Sequence, residues 1–409
     1  MKIVLEPGAA ALLDELHRAG FGAYAVGGCV RDSLLGLAPH DWDLCTAARP
    51  GQVMELFGED RCIPTGLQHG TVTVKRDGKL YEITTFRTEG RYSDGRHPDS
   101  VAFVPDLRED LARRDFTINA MAYSAEEGLC DPFGGREDLA RGVVRAVGEP
   151  LRRFGEDALR ILRLYRFAAR FGFAIDEATE AAAKQLASHL DCVSAERIEE
   201  ELNKLLAAPQ PGAYLEPEVL AFVLPELPPE ELTKARRRID ALPAGTEQVS
   251  ARWAALLLPL GETGARKALK RLKCSNARID GAVALVRECG EKTPDTLDKC
   301  DLRLQAKRLL GKYDLHTVRQ LTALWTALAP EEKASFDALR AEAEALTAQG
   351  VCCRISQLAV SGRDLMAAGA APGPGLRRVL EALLEEVITG RLPNEKTELL
   401  AFAAGFSAS

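Results

Sequence analysis

Short apolar runs broken by turn residues mark the first third of the chain. Ala23–Val26 is a continuous apolar run that ends at Gly27 and Gly28, and residues 30–35 then read as a helix start. Asp41 and Asp43 alternate with Trp42 and Leu44, the period-two pattern of a strand. Residues 70–76 and 79–87 are β-rich and flank Asp77-Gly78, a dipeptide suited to the left-handed conformations of a tight hairpin turn. These elements predict a small mixed α/β domain over 1–145. From about residue 146 strand-like segments vanish, and Ala, Leu, Glu and Arg recur at helical spacing. Within 158–170, Ala158, Ile161, Leu162, Tyr165, Ala168 and Ala169 form one apolar stripe. Prolines at 209–211, 225–229 and 372–374 punctuate this remainder. The expected class is α+β, an α/β head followed by an all-helical body.

Composition narrows the function classes. The 409 residues are 46% hydrophobic and 28% charged, the balance of a globular chain. The formal net charge is −7, so a nucleic-acid partner would have to be held by local basic patches. The longest apolar run, 253–260, falls far short of the roughly 20 residues of a membrane span. Glu6, Asp14 and Glu15 stand where a signal peptide would be apolar, so a cytoplasmic location is expected. The 10 cysteines include no CxxC pair and the 6 histidines are isolated from one another, which argues against a zinc site and for small buried thiols.

The chemistry-bearing signal is GGCVRD at residues 27–32 followed by DWD at 41–43. Residues i and i+2 of a strand share a face, so Asp41 and Asp43 would present paired carboxylates. Such a pair repels itself unless a cation sits between, and its hard oxygens suit Mg²⁺. Glycines before a helix start let backbone N–H groups approach an anion, and Gly28 and Arg31 would serve a phosphate there. A phosphate cradle beside a divalent-metal site is the equipment of phosphoryl or nucleotidyl transfer. A turn glycine pair beside a solvated acidic strand end is the plainer reading of the same residues.

This constellation resembles the nucleotidyltransferase superfamily typified by DNA polymerase β, and more closely the class II tRNA nucleotidyltransferase and bacterial poly(A) polymerase family. Further motifs of that family recur in order: RRDFTINAMAY at 113–123, DPFGGREDL at 131–139, GEDALRILRLYRFAARFGF at 155–173 and AERIEEELNKLL at 195–206. LAVSGRDLMAAGAAPGPGL at 358–376 is similar to the tail of CCA-adding members. The resemblance implies a catalytic head at 1–145, a base-selecting neck at 146–210, and a tRNA-binding body and tail at 211–330 and 331–409. It implies tRNA as partner, CTP and ATP as substrates, Mg²⁺ bound by Asp41 and Asp43, and nucleotide phosphates contacted by Gly28 and Arg31. Two-metal nucleotidyl transfer with release of pyrophosphate is the implied mechanism. Glu82, on the hairpin strand beside DWD, is where a third acidic group is expected, with a surface strand Glu as the alternative. Arg114 resembles the arginine that contacts the incoming nucleotide near its sugar.

Asp157 and Arg160 stand i, i+3, and on one helix their side chains would be neighbours. Asp157 could accept the amino hydrogen of cytosine or adenine while Arg160 donates to ring acceptors. Uracil and guanine present carbonyl oxygens instead, and facing acceptors cost about 1–3 kcal/mol each. An intrahelical salt bridge is the other meaning of this spacing. The resemblance assigns Arg163 and Arg166, which continue the row, to nucleotide contact, and Glu196, Arg197 and Glu200 to bracing the pocket helices. It places a loop that switches C to A addition at DGRHP, residues 94–98. ARKALKRLKCSNAR at 265–278 carries six basic residues and no acid, either an RNA-binding run or a solvated helix face. The expected function is building or repairing the CCA end of tRNA. Poly(A) synthesis, partial CC or A addition, and an inactive RNA-binding scaffold are the alternatives.

Overall fold

A computed structural model describes residues 3–90, 101–291 and 301–406. The chain divides into two compact units, Met1–Pro229 and Glu230–Ser409.

The first unit is built on a seven-stranded mixed sheet. Its elements in order are α1 (Pro7–Arg18), β1 (Ala23–Val26), α2 (Gly28–Leu34), β2 (Leu44–Thr46), α3 (Pro50–Phe57), β3 (Cys62–Gly66), β4 (Thr71–Arg76) and β5 (Lys79–Thr85). There follow β6 (Arg87–Glu89), β7 (Val101–Phe103), α4 (Leu107–Ala112), β8 (Ala122–Ser124), β9 (Gly128–Cys130) and α5 (Gly135–Arg141). The strand order is β3-β4-β5-β2-β1-β8-β9. β1 is buried along its whole length, which is why its sequence is an unbroken apolar run rather than an alternating one. It pairs antiparallel with β2 and β8, while β2 pairs parallel with β5. The β4–β5 hairpin turns on Asp77 at φ 49° and Gly78 at φ 77°, the left-handed pair expected of Asp-Gly. Tyr24, Val26, Cys45, Phe86, Leu107, Leu111, Ala120, Ala122 and Val147 form the core under one face.

Two expectations about strands need correction. Asp41 and Asp43 are not within a strand: β2 begins at Leu44, and the two acids lie in the segment that leads into it. Nor do strands end at residue 146, because β10 (Val143–Val144) pairs in parallel with β11 (Ala174–Ile175). Two residues are too few to show a period.

Helices α6 (Pro150–Glu156), α7 (Leu159–Phe171), α8 (Glu177–Gln185), α9 (Ala195–Leu206) and α10 (Pro217–Val223) complete the unit. All six residues of the stripe read from 158–170 are buried. α7 packs on α9, which contributes Ile198, Leu202 and Leu205.

The second unit is helical throughout: α11 (Leu232–Asp240), α12 (Val249–Leu257), α13 (Gly261–Arg271), α14 (Asn276–Glu291), α15 (Leu302–Lys312), α16 (Leu315–Leu328), α17 (Lys333–Ala348), α18 (Gly362–Ala367), α19 (Pro374–Thr389) and α20 (Lys396–Phe406). α12 is buried on nearly every side against α11, α14 and α16, as its apolar sequence requires. Val360, Leu365, Leu383, Leu399 and Ala403 form a second core among α18, α19 and α20. Among the described residues no helix is long and apolar enough to cross a membrane.

Candidate active site

The site begins where β1 runs into α2. Gly27 adopts φ 77° and ψ −123°, a region closed to residues with a side chain. Its N–H donates to the Met121 carbonyl at 3.0 Å, and its own carbonyl accepts from the Arg31 N–H at 3.0 Å. A Cβ on Gly27 would stand 2.8 Å from Arg114 Nη1, so the turn and this guanidinium lie in contact. Gly28, by contrast, has only Arg31 Nη2 near its Cβ direction, at 3.7 Å.

Asp43 is held beside this turn by its backbone, whose carbonyl accepts from the Val26 N–H at 3.0 Å. The parallel register pairs Leu44 with Ile83, so the preceding residues, Asp43 and Glu82, are neighbours on the opposite face. Asp41, Asp43 and Glu82 are all exposed. Asp43 is nonetheless closely walled by protein, and desolvation from that side raises its pKa. Arg114 pulls the value down, and the like charges of Glu82 and Asp41 push it up again. Glu82 is therefore a third acid in the field of Asp43. Among the described residues no three His, Cys, Asp or Glu side chains close into a metal cage. The donor set still fits a hard divalent cation, since Mg²⁺ is commonly bound through one or two carboxylates, with waters and substrate phosphates completing the shell.

Arg31 is turned inward, 3% exposed. Its guanidinium donates to Asp32 from Nε at 2.8 Å and to Asn119 from Nη1, and lies over Phe167 and Phe171 at 5.1 and 4.9 Å from the ring centroids. Desolvation lowers its pKa against the opposing pull of Asp32. The guanidinium thus lies in the seam between α2 and α7.

The arginines of α7 are similarly engaged. Arg163 donates to Asp115 Oδ2 from Nε at 2.8 Å and Nη2 at 2.6 Å. Burial alone would raise the Asp115 pKa, but Arg163 and the Asn119 amide hold it well below the usual carboxylate range. Arg166 Nε stands 3.0 Å from Glu201 Oε2, near enough to pair in charge but not aligned as a hydrogen bond. Desolvation brings the Arg166 pKa down to about 10. Arg160 donates to Glu156 at 2.8 Å and to the carbonyls of Arg153 and Arg113.

Asp157 and Arg160 do not share a helix, contrary to what their spacing suggests. The chain breaks at Asp157, which is extended at φ −143° and ψ 106°. Freed from the helix, the Asp157 carboxylate caps the next one, accepting the Leu159 N–H at 3.0 Å, and takes Arg197 Nη2 at 2.8 Å. The intrahelical salt bridge weighed as an alternative is not the pairing either residue makes. Glu156 is the acid beside Arg160, and Arg197 is the base beside Asp157.

Comparison with known proteins now bears on this site. A family model described as "Poly A polymerase head domain" matches residues 23–145, and one for tRNA nucleotidyltransferase domain 2 matches residues 245–403. The CCA-adding enzyme of Latilactobacillus sakei is 39% identical over 96% of this chain and 96% of its own, and that of Geobacillus stearothermophilus is 37% identical over 96% and 95%. The chain belongs to the CCA-adding enzyme family. The fold agrees: the crystal structure of the Bacillus stearothermophilus CCA-adding enzyme in complex with CTP superposes with a TM-score of 0.80 at 33% identity, covering 99% of this chain and 98% of that one. The Thermotoga maritima CCA-adding enzyme complexed with tRNA, 22% identical with a TM-score of 0.69, shares the fold, covering 98% of this chain and 96% of that one.

Within this CCA-adding family member, sequence reasoning missed the acids that hold the arginines. Asp32, Asp115, Glu156 and Glu201 each take one or more of them. Asp115 stands between Arg114 and Phe116 in the motif at 113–123, and an acid next to a buried aromatic was the available signal. The DGRHP segment lies outside the described residues. In the second unit, the basic run spans α13 and the start of α14, with Lys267, Lys270, Arg271 and Lys273 exposed and Arg266 paired to Asp280 at 3.0 Å.

Proposed function

We propose that this chain completes or repairs the 3′ CCA end of tRNA from CTP and ATP, releasing pyrophosphate, with Asp41 and Asp43 as the acids at the reacting phosphate. The observation that carries the residue assignment is the contact of Gly27 with Arg114 directly beside Asp43, in a chain similar over nearly its full length to CCA-adding enzymes. Asp41 and Asp43 would hold a divalent cation, with Mg²⁺ the ion their oxygens suit. Such a cation supplies Lewis-acid stabilisation of the phosphoryl oxygens and a more acidic primer hydroxyl.

The chain's own groups do the rest. The Gly27 turn lets backbone approach the triphosphate with no side chain between. Arg114, half-buried and in contact with the turn, is assigned to the nucleotide near its sugar, and Glu82 adds negative field beside Asp43. Asp157 reads the base amino group, and its Arg197 contact fixes where that acceptor points. Arg160, Arg163 and Arg166, each held by an acid, present donors at fixed positions. A fixed array rejects carbonyl oxygens where it demands an amino donor, and so selects C and A without a template. A head at 1–145, neck at 146–210, body at 211–330 and tail at 331–409 divide these tasks, and the described cysteines, all free thiols, suit a cytoplasmic location.

Incubation with tRNA lacking CCA, and each nucleoside triphosphate in turn, tests the reading. Addition of C, C and A followed by arrest is the expected result. Long adenosine tracts on a generic oligonucleotide would replace it with poly(A) synthesis, and a stop after two cytidines would make it a CC-adding enzyme.

A further inference from the structure

A chain of side-chain hydrogen bonds leaves α7, crosses to α2 and returns to α7 seven residues on. Arg163 donates to Asp115 Oδ2, and Asp115 Oδ1 accepts from Asn119 Nδ2 at 3.1 Å. Asn119 Oδ1 accepts from Arg31 Nη1, and Arg31 donates to Asp32 Oδ1 at 2.8 Å. Asp32 Oδ2 accepts from Arg170 Nη2 at 3.1 Å, which closes the ring on the helix where it began. Arg163 and Arg170 lie near one face of α7, and Phe167 between them lies under both Arg31 and Arg163. Asn119 is the one neutral side chain in the circuit and is 6% exposed. Its amide meets an acid with its donor and a guanidinium with its acceptor. A carboxylate there would face Asp115, and a cation would face Arg31.

We infer that Asn119 is a positioning residue for nucleotide choice, locking the base-reading helix α7 to α2 and the Gly27 turn so that base and reacting phosphate share one rigid frame. The inference rests on the CCA-adding reading. An enzyme that selects C and A by protein donors and acceptors alone discriminates only as sharply as those groups are held, and displacements of well under an ångström degrade hydrogen-bond selection. Arg163 and Arg166 ride on α7, whereas Asp43 and Arg114 sit at the turn that α2 follows. Asn119 bonds Arg31 on the α2 side directly and reaches Arg163 on α7 through Asp115, so it joins the two halves.

The test uses the full-length protein and tRNA lacking its CCA end. Asn119→Leu keeps the branched shape, at a somewhat larger volume, and removes both hydrogen bonds. Incorporation of UTP relative to CTP should rise about tenfold while kcat with CTP falls, the change expected when buried hydrogen bonds that orient the site are lost. Circular dichroism melting monitors folding, and merely structural damage would lower activity on all four nucleotides in proportion. If Asn119→Leu does not fold, Arg170→Gln opens the ring at a guanidinium whose side chain is 47% exposed, and should raise the same ratio by a smaller factor. An unchanged UTP-to-CTP ratio in the folded variant overturns the inference. Wild-type protein that prefers other nucleotides would remove the functional reading instead, and the ring would then be judged by the ratio of that protein's own rejected and preferred substrates.

Discussion

Gly27 and Arg114 approach so closely that one methyl group on the glycine would stand 2.8 Å from the arginine Nη1. The φ of 77° adds backbone strain for any L side chain. Gly27→Ala should therefore cost about 1–3 kcal/mol of stability, read by urea unfolding. It should also push the mobile end of Arg114 away from Asp43, so incorporation of CTP should fall further than the folded fraction does. Activity that tracks the folded fraction would mean the contact has no part in the reaction.

The carboxylates give a sharper separation. Asp43→Ala or Asp41→Ala should abolish incorporation while leaving tRNA affinity nearly intact, because backbone phosphate contacts carry the binding. Filter binding and single-turnover incorporation on the same preparations check both halves. Glu82→Gln removes only a like charge from the field of Asp43, so a partial loss is expected. Loss as deep as that of Asp43→Ala would make Glu82 a third ligand-bearing acid.

The hairpin at Asp77-Gly78, the buried run of β1 and the stripe of α7 were legible because a turn type or a period of burial fixes them locally. The same rule misplaced Asp41 and Asp43: their alternation with Trp42 and Leu44 suggested a strand, but β2 starts at Leu44, three residues after Asp41. The neck was not legible. Asp157 and Arg160 satisfy helical spacing, yet Asp157 spends its carboxylate on capping α7, and capping is a choice the i, i+3 rule does not see. Asn119, which accepts from Arg31, and the acids that hold Arg163 and Arg170 lie 88, 48 and 138 positions away in sequence, beyond the reach of any periodicity.

Base selection should depend on Asp157 and, through it, on Arg197. Asp157→Ala removes the acceptor for the amino group and the repulsion of carbonyl oxygens. Use of CTP and ATP should fall, and discrimination against UTP and GTP should shrink about tenfold for each ~1.4 kcal/mol lost. Arg197→Gln leaves the carboxylate but frees its direction, so the same two quantities should shift less. A double-mutant cycle measures the coupling, and additive effects would show that the contact does not orient the acceptor.

Acid stability should report on Asp115. Its folded pKa lies well below the unfolded value of about 3.9, so its contribution is present above that value and lost as pH falls toward the folded one. Asp115→Asn removes the acid hydrogen-bonded to Arg163 and leaves only Glu201, 3.9 Å from its Nη1, which should cost about 3 kcal/mol at neutral pH. Urea midpoints taken from pH 6 down to about pH 2 should fall less steeply in the variant than in the wild type. Parallel curves would assign the acid dependence to other carboxylates.

The exposed basic face of α13 tests how an acidic chain holds an anionic polymer. The formal net charge of −7 repels RNA at long range, so affinity has to come from local clusters whose field acts within about 10 Å at ordinary ionic strength. Lys267 and Lys270 are exposed on α13, close to Arg271 and Lys273, whereas Arg266 is already paired with Asp280. If both lysines meet tRNA phosphates, each should contribute close to one unit to the slope of log affinity against log salt. Lys267→Ala with Lys270→Ala should then lower that slope by about two and weaken tRNA binding at low salt. Incorporation at saturating tRNA should be unchanged, since neither residue is assigned to the reacting nucleotide. Arg266→Ala serves as the comparison, because its charge is partly spent on Asp280 and its effect on the slope should be smaller. A slope equal to that of the wild type in the double variant would make α13 a solvated helix face and place the RNA contacts elsewhere.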